Sequence, residues 1–224
     1  MNVDVIIPAL NEAGNIGDLV REVLAQSVHQ VIVVDNNSTD GTAEIARGAG
    51  ARVITESRSG YGYACAAGVA ASEADVLIFL DGDFSFLPSE MPRLLAPIAE
   101  NRADLVLGSR ELGHIEPGSL PFQQRLGNAL IAWLTRALYH LPLTDLGPYR
   151  AVRRELVLGL DMREMTYGWH TEMIVKAARW HARIIEVPVS YRARRAGQSK
   201  VSGTLRGTIL AGYRLLSVTF RYAR

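Results

Sequence analysis

Five apolar residues, Val76–Leu80, run without a break and stop at two carboxylates flanking one glycine, Asp81-Gly82-Asp83. An apolar run of this length without alternation reads as a strand buried on both faces, as in a parallel sheet. Ligands of such sheets bind outside the carboxyl ends of the strands. Gly82 lets a ligand approach the backbone closely. Two hard oxygen donors this near each other repel unless a cation or a donor-rich ligand lies between them. Mg²⁺ suits that position, because one or two carboxylates and substrate phosphates complete its shell. A metal–diphosphate site is one reading. A solvated Asp-Gly turn is the other, and the tripeptide alone does not choose.

The rest of the first half repeats the pattern. Strands are expected at Val3–Leu10, where Pro8 closes the ladder, at Val31–Val34, at Arg52–Thr55, at Asp75–Leu80 and at Asp104–Leu107. Between them lie helical stretches at Glu12–Gln26 with Asn11 as its cap, at Thr42–Arg47, at Gly60–Ser72 and within Pro88–Ile98. Strand–helix alternation implies an α/β fold: a mostly parallel, doubly wound sheet with right-handed crossovers and helices on both faces. After Arg110 the pattern changes. Gly113–Leu120 reads as a loop, and Pro121–Leu141, Ala151–Leu160 and Tyr167–Trp180 as helices. Arg183–Val189 reads as a strand and Arg192–Gly203 as a basic loop, with Thr204–Arg224 a closing amphipathic helix.

A chain of 224 residues suffices for one well-buried domain. Its single cysteine, Cys65, excludes an internal disulfide and fits a reducing compartment. The N-terminus enters a strand at once, with no basic region or cleavage site of a signal peptide. No run approaches the roughly 18 apolar residues of a membrane span. These features point to the cytoplasm. Net charge is only +1, yet Lys176–Arg224 holds 11 Lys and Arg against Glu186 alone, while the first 175 residues hold 13 basic and 22 acidic residues. A basic block of this kind meets an anionic partner: nucleic acid, phosphate or a membrane surface. The block lacks a clear pattern of interleaved exposed aromatics, and its Gly/Ser-containing loop fits phosphate equally well. There is no G-x-G-x-x-G at the first strand–helix turn and no G-x-x-x-x-G-K-[ST], which disfavours dinucleotide and P-loop sites.

Three strand ends carry polar groups suited to one nucleotide: Pro8-Ala9-Leu10-Asn11-Glu12, Asp35-Asn36-Asn37-Ser38 and Asp81-Gly82-Asp83. A carboxylate closing the second strand can accept hydrogen bonds from a base or ribose. These segments, with Asp40-Gly41-Thr42 and Gly108-Ser109-Arg110, resemble in order and spacing the family 2 glycosyltransferases of GT-A fold. Beyond Arg110, Asp145-Leu146-Gly147-Pro148-Tyr149-Arg150, Trp169-His170-Thr171-Glu172-Met173, Glu186-Val187-Pro188-Val189 and Arg195-Ala196-Gly197-Gln198-Ser199-Lys200-Val201-Ser202-Gly203 narrow the resemblance. They point to the dolichyl- and polyprenyl-phosphate glucose and mannose synthases.

That resemblance implies a single catalytic domain over 1–203, with a nucleotide-binding half over about 1–110 and an acceptor half over about 111–203, followed by the helix 204–224. It implies that Pro8, Ala9, Leu10, Glu12, Asn37, Gly60 and Gly82 line the nucleotide-sugar site, and that Asp35 holds the uracil or guanine base with Ser38 nearby. Asp81 would touch ribose or metal, and Asp83 would be the principal ligand of Mg²⁺ or Mn²⁺. Arg110, Arg150, Arg195, Ser199 and Lys200 would bind the acceptor phosphate or the leaving diphosphate. Asp83, Arg110, Arg150 and Glu172 are the implied catalytic set. The implied reaction inverts the anomeric carbon of a hexose as it moves from a UDP- or GDP-sugar to a polyprenyl phosphate. Two departures stand out. Tyr61 and Tyr63 occupy the glycine turn where related synthases often have lysine, and the C-terminal membrane helices of many relatives have no counterpart before Arg224.

The chemistry is coherent on its own terms. Metal and cationic side chains stabilise the charge that develops on a departing diphosphate. A phosphate acceptor is already ionised and needs only cations to hold it. A hydroxyl acceptor needs a base, for which Asp145, His170 and Glu172 are the candidates. The alternative for Glu172 is a helix-surface pair with Lys176 at i,i+4. Rival readings are a glycosyltransferase with a soluble hydroxyl acceptor, a nucleotidyltransferase and a nucleic-acid-binding module. The closing helix has two uses, contact with a membrane surface or packing against the domain or a second copy as a homodimer.

Overall fold

The structure is a computed structural model that describes residues 1–197 and 205–223. The first half alternates as expected: β1 (Val3–Ala9), α1 (Ile16–Leu24), β2 (Gln30–Asp35), α2 (Thr42–Gly48), β3 (Arg52–Thr55), α3 (Tyr61–Ala71), β4 (Val76–Phe79) and α4 (Met91–Ala99). Then come β5 (Leu105–Ile115), α5 (Phe122–Tyr139), β6 (Arg150–Arg153), α6 (Arg154–Gly159), α7 (Trp169–Arg179), β7 (Ile184–Tyr191) and α8 (Leu205–Arg221). One seven-stranded sheet runs in the order β3-β2-β1-β4-β6-β5-β7.

Alternate residues of the central strands feed two cores, as the period of a strand requires. Val5, Ile7, Val31, Val33, Val76 and Ile78 face α1, α2 and α4. Ile6, Ile32, Val34, Leu77 and Phe79 face the other layer, where Cys65 of α3 and Trp169, Met173 and Ile174 of α7 complete the core. Gly68 lets α3 lie directly on β1, since a Cβ there would stand 2.4 Å from Ile6 Cγ2. The chain steps outward from β1 through β2 to β3 and returns to the other side of β1 as β4. All three contacts, β1 with β2, β1 with β4 and β2 with β3, are parallel. The strand order therefore reverses between β1 and β4, and the crevice at their carboxyl ends is where such sheets take ligands.

The second half corrects two expectations and places the closing helix. Ala151–Leu160 is not one helix. Its first residues belong to β6, which inserts antiparallel between β4 and β5. β5 continues through Gly113 to Ile115, where a loop was expected, because after pairing with β7 up to Ser109 it rejoins β7 at His114 and Ile115 beyond a register shift. The closing helix is seated on the body: Val218 and Thr219 are buried, and Tyr139 donates to the Thr219 carbonyl at 2.6 Å. The described C-terminal half of α8 thus packs against the domain, with Tyr213 and Phe220 left exposed. Among the described residues no helix is long and apolar enough to cross a membrane.

Candidate active site

The donor edge is built by two interlocked loops. Ser38 Oγ accepts from the Asn11 amide at 2.9 Å, Asn11 Oδ1 accepts from the Thr39 amide at 2.8 Å, and Thr42 Oγ1 accepts from the Glu12 amide at 2.8 Å. Asn37 reaches the Ser57 carbonyl and Ser59. Ser38 and Asn37 therefore hold the loops in place. Asn36 donates to the carbonyls of Glu56 and Arg58 and accepts from the Gly60 amide. What demands glycine at 60 is the Met165 carbonyl, 2.5 Å from a Cβ added there, so packing explains the glycine without a ligand. Asp35 closes β2 opposite Ala9 of β1. It is buried, and its Oδ1 has no hydrogen-bond partner in the protein. A buried acceptor rarely stays unpaired, and this one is suited to a base or ribose donor. Pro8 and Leu10 stand at the rim, Leu10 exposed.

Asp81 and Asp83 follow β4 directly. Asp81 Oδ1 accepts from Tyr61 Oη at 3.2 Å. Burial, and then the charge of Asp83, push the Asp81 carboxyl up to about 7. Asp83 Oδ1 accepts from the Ser85 amide at 3.0 Å, while Oδ2 faces a cation, Arg194 Nη2, at 2.8 Å. A Cβ on Gly82 would approach Glu12 Cγ to 3.4 Å, so the Glu12 side chain borders the same turn. Glu12 Oε2 is held by Asn15 Nδ2 at 2.8 Å, and Oε1 lies 3.8 Å from Arg194 Nη1. These residues fit a divalent ion: two carboxylates converge where a cation already stands. No cluster of three or more His, Cys, Asp or Glu offers a closed cage among the described residues. A partial donor set suits Mg²⁺ or Mn²⁺, whose remaining ligands are phosphate oxygens and water.

The acceptor side is built around Arg110. Its Nε and Nη2 grip Asp145 Oδ2 and Oδ1 at 2.8 and 2.7 Å, and its own amide donates to Oδ2 at 2.7 Å. Burial raises the Asp145 pKa, but the bonds from Arg110 outweigh it and hold the carboxyl below its ordinary value. Glu186 fixes this corner by accepting from the amides of Thr144 and Asp145. The Arg110 guanidinium lies 5.2 Å from the Tyr191 ring centre.

Two implied catalytic residues have structural roles instead. Arg150 is fully buried and donates to the carbonyls of His170, at 3.0 Å, and Gly147, at 2.6 Å. Burial pushes its pKa down to about 10. It braces the chain behind Arg110 and reaches no surface where an acceptor phosphate could sit. Glu172 is also fully buried. It accepts from Tyr222 Oη at 2.6 Å, from the amides of Arg163 and Glu164 at 2.8 and 2.7 Å, and pairs with Lys176 at 3.0 Å. The i,i+4 pair with Lys176 forms, but inside the fold and not on the helix surface, with α8 joining it through Tyr222.

Arg195 turns to α1, where its Nη1 lies 3.0 Å from Asp18 Oδ2, so it stands at the donor edge and not the acceptor side. Ser199 and Lys200 lie outside the described residues. Sequence reasoning missed Arg194. Three arginines between residues 192 and 195 signalled a cationic loop, but no periodicity says which one faces inward. His170 stacks edge-on against Tyr61 at 4.8 Å, and neither ring nitrogen has a partner. Burial, and then the charge of Arg150, hold its pKa well below the usual histidine value, so the imidazole is neutral.

The chain has clear relatives among known proteins. The Glycosyl transferase family 2 profile matches residues 4–158. An uncharacterized glycosyltransferase of Mycobacterium tuberculosis is 38% identical over 209 residues, covering 93% of this chain and 94% of that one. The undecaprenyl-phosphate mannosyltransferase of Micrococcus luteus is 33% identical, covering 92% and 90%. The crystal structure of glucosyl-3-phosphoglycerate synthase from Mycobacterium tuberculosis, in complex with Mn²⁺, UDP and phosphoglyceric acid, superposes with a TM-score of 0.81. It is 23% identical and covers 99% of this chain and 78% of that one, a likeness of fold.

Proposed function

This chain belongs to glycosyl transferase family 2, and from that premise we propose that it moves a hexose from a nucleoside-diphosphate sugar to a polyprenyl phosphate at a membrane surface. The donor half of the reading rests on Asp35, Asp81 and Asp83 at neighbouring strand ends. Asp35 takes the base or ribose, and Asp81 and Asp83 hold Mg²⁺ or Mn²⁺ against the diphosphate. The bound ion supplies Lewis-acid stabilisation of the leaving diphosphate. UDP with Mn²⁺ in the synthase of like fold supports this donor chemistry. Arg110, positioned by Asp145, offers a cation to an acceptor phosphate that is already ionised and needs no base.

One observation carries the lipid acceptor. Along α5, Phe122, Leu126, Leu130 and Trp133 are 75, 60, 47 and 60% exposed. Their spacing places them along one side of the helix. Apolar patches of this kind mark partner or membrane contacts. On its other side α5 meets the acceptor corner, since Asn128 Oδ1 accepts from the Leu146 amide beside Asp145. The apolar stripe and the Arg110 cation are thus borne by adjoining segments, as a phosphate on a lipid tail requires. The 33% identical undecaprenyl-phosphate mannosyltransferase is in keeping with this.

A soluble hydroxyl acceptor is the second reading, and the phosphoglyceric acid bound to the synthase of like fold is in keeping with it. Of the candidate bases, Asp145 and Glu172 are committed to internal partners, and the two His170 ring nitrogens are unpaired but buried. Transfer from labelled UDP- and GDP-hexoses, with Mn²⁺ and either undecaprenyl phosphate in detergent or a panel of soluble acceptors, separates the two. Label extracted into organic solvent is the expected result. Label confined to a water-soluble product would reject the lipid reading.

A further inference from the structure

Residues 192–197 form a strap across the mouth of the donor crevice. The strap leaves β7 by donating from the Arg192 amide to the Ser85 carbonyl at 2.9 Å, and continues from the Arg195 amide to the Asp83 carbonyl at 3.4 Å. It lands on the start of α1, where Asn15 Nδ2 donates to the Ala196 carbonyl at 3.1 Å and Arg195 pairs with Asp18. Gly14 permits that landing, since a Cβ on it would sit 3.0 Å from Ala196 Cβ. The centre of the span carries Arg194 into the site, 2.8 Å from Asp83 Oδ2 and 3.8 Å from Glu12 Oε1. The Arg194 side chain is only 23% exposed.

We infer that Arg194 is the counter-cation of the donor-site carboxylates, and that divalent metal with its nucleotide displaces Arg194 and releases the strap. This rests on the donor-site reading given above. A divalent ion bound by Asp83 competes with Arg194 for the same carboxylate oxygen, and two cations within a few ångströms repel. Glu12 and Asp83 face each other across Arg194, which supplies the cation that balances their charge. Metal affinity and strap position then become one linked equilibrium, in which whatever weakens the Arg194 contact strengthens metal binding by the same factor.

The test is a Mn²⁺ titration followed by the electron paramagnetic resonance signal of free Mn²⁺, with and without UDP, on the wild-type chain, R194Q, R194K, R192Q and D83N. R194Q is expected to bind Mn²⁺ about fivefold tighter or more. R194K and R192Q are expected to match the wild type. Tryptic cleavage within 192–195 of the wild type is expected to quicken when Mn²⁺ and UDP are added. Unchanged or weaker Mn²⁺ binding by R194Q, or cleavage slowed by Mn²⁺ and UDP, would overturn the inference. If D83N loses Mn²⁺ while R194Q gains nothing, the strap proposal falls and the donor site stands. If the wild type binds no Mn²⁺ even with UDP, the donor reading falls and takes the strap with it.

Discussion

The two halves of the molecule use their acidic residues in opposite ways. In the donor half, β1, β2 and β4 run parallel, and each delivers its last residues to one crevice. The carboxylates there are underfilled: Asp35 Oδ1 has no partner, and Asp81 is pushed up by burial and by Asp83. In the acceptor half, β6 runs antiparallel to its neighbours and the acids are saturated. Asp145 is filled by Arg110, Glu186 by the chain at 144–145, and Glu172 by four donors. The difference teaches how to read a carboxylate. An acid at the end of a buried parallel strand has few protein donors near it and is open to ligand. An acid on a buried helix face survives only if the fold supplies every donor it needs.

Removing one acid from each half should therefore have opposite consequences. Asp83→Ala is expected to lower kcat/KM at least about 10³-fold, the several kcal/mol that a metal contributes to transition-state stabilisation. Thermal unfolding without ligand should change little, because among the described residues the Asp83 side chain braces only the Ser85 amide and Arg194. Glu172→Gln should do the reverse. It strips a buried charge from Lys176 and weakens the bond from Tyr222, at a cost to folding of about 3 kcal/mol. Urea unfolding measures that loss, and the affinity for UDP with Mn²⁺ should be unchanged. A Glu172→Gln protein of full stability but no activity would return Glu172 to the catalytic set and break the contrast. Between these lies Arg110→Lys. It keeps the charge but loses the two-pronged grip on Asp145, with an expected fall of about 10-fold to 100-fold in kcat. Donor affinity should be untouched, and steady-state kinetics at varied donor checks both.

The donor half was legible because its physics is local. Continuous apolar runs ending in Asp35 and Asp81 identify strand, face and carboxyl edge together. Most of the acceptor half is decided by distant partners. Arg150-Ala151-Val152-Arg153 has only two apolar residues and adjoins a helix, so its role as a sheet strand depends on β4 and β5 already flanking it. Arg150 reads as a phosphate-binding cation in sequence and is buried only because the carbonyls of Gly147 and His170 close on it. Arg194 and Arg195 are neighbours in a loop, where neither a helical nor a strand period says which one turns inward. Helix α5 is the sharpest case. Its apolar spacing is that of a core-facing helix, yet only Ile131, Ala132 and Thr135 are buried.

That exposed side of α5 gives the smallest expected effect on folding and the most informative one on function. Leu126 and Trp133 are each 60% exposed, so the pair Leu126→Ser and Trp133→Ser should change folding free energy by no more than about 0.5 kcal/mol per site, as surface substitutions do. If the stripe meets lipid, the same two changes remove the apolar side chains that enter the headgroup boundary. Flotation with vesicles of phosphatidylglycerol and phosphatidylethanolamine should then recover the wild-type chain and lose the double variant. Transfer to undecaprenyl phosphate in those vesicles should fall with it, while transfer to a short-chain, water-soluble prenyl phosphate should persist, because Arg110 and the donor crevice are untouched. Equal flotation of the two proteins would detach the apolar stripe from the acceptor and leave the soluble acceptor as the better reading. Equal loss of transfer to the long and short phosphates would mean that α5 shapes the phosphate corner itself, through Asn128 and Leu146, and that the acceptor half, like the donor half, is read from its polar groups alone.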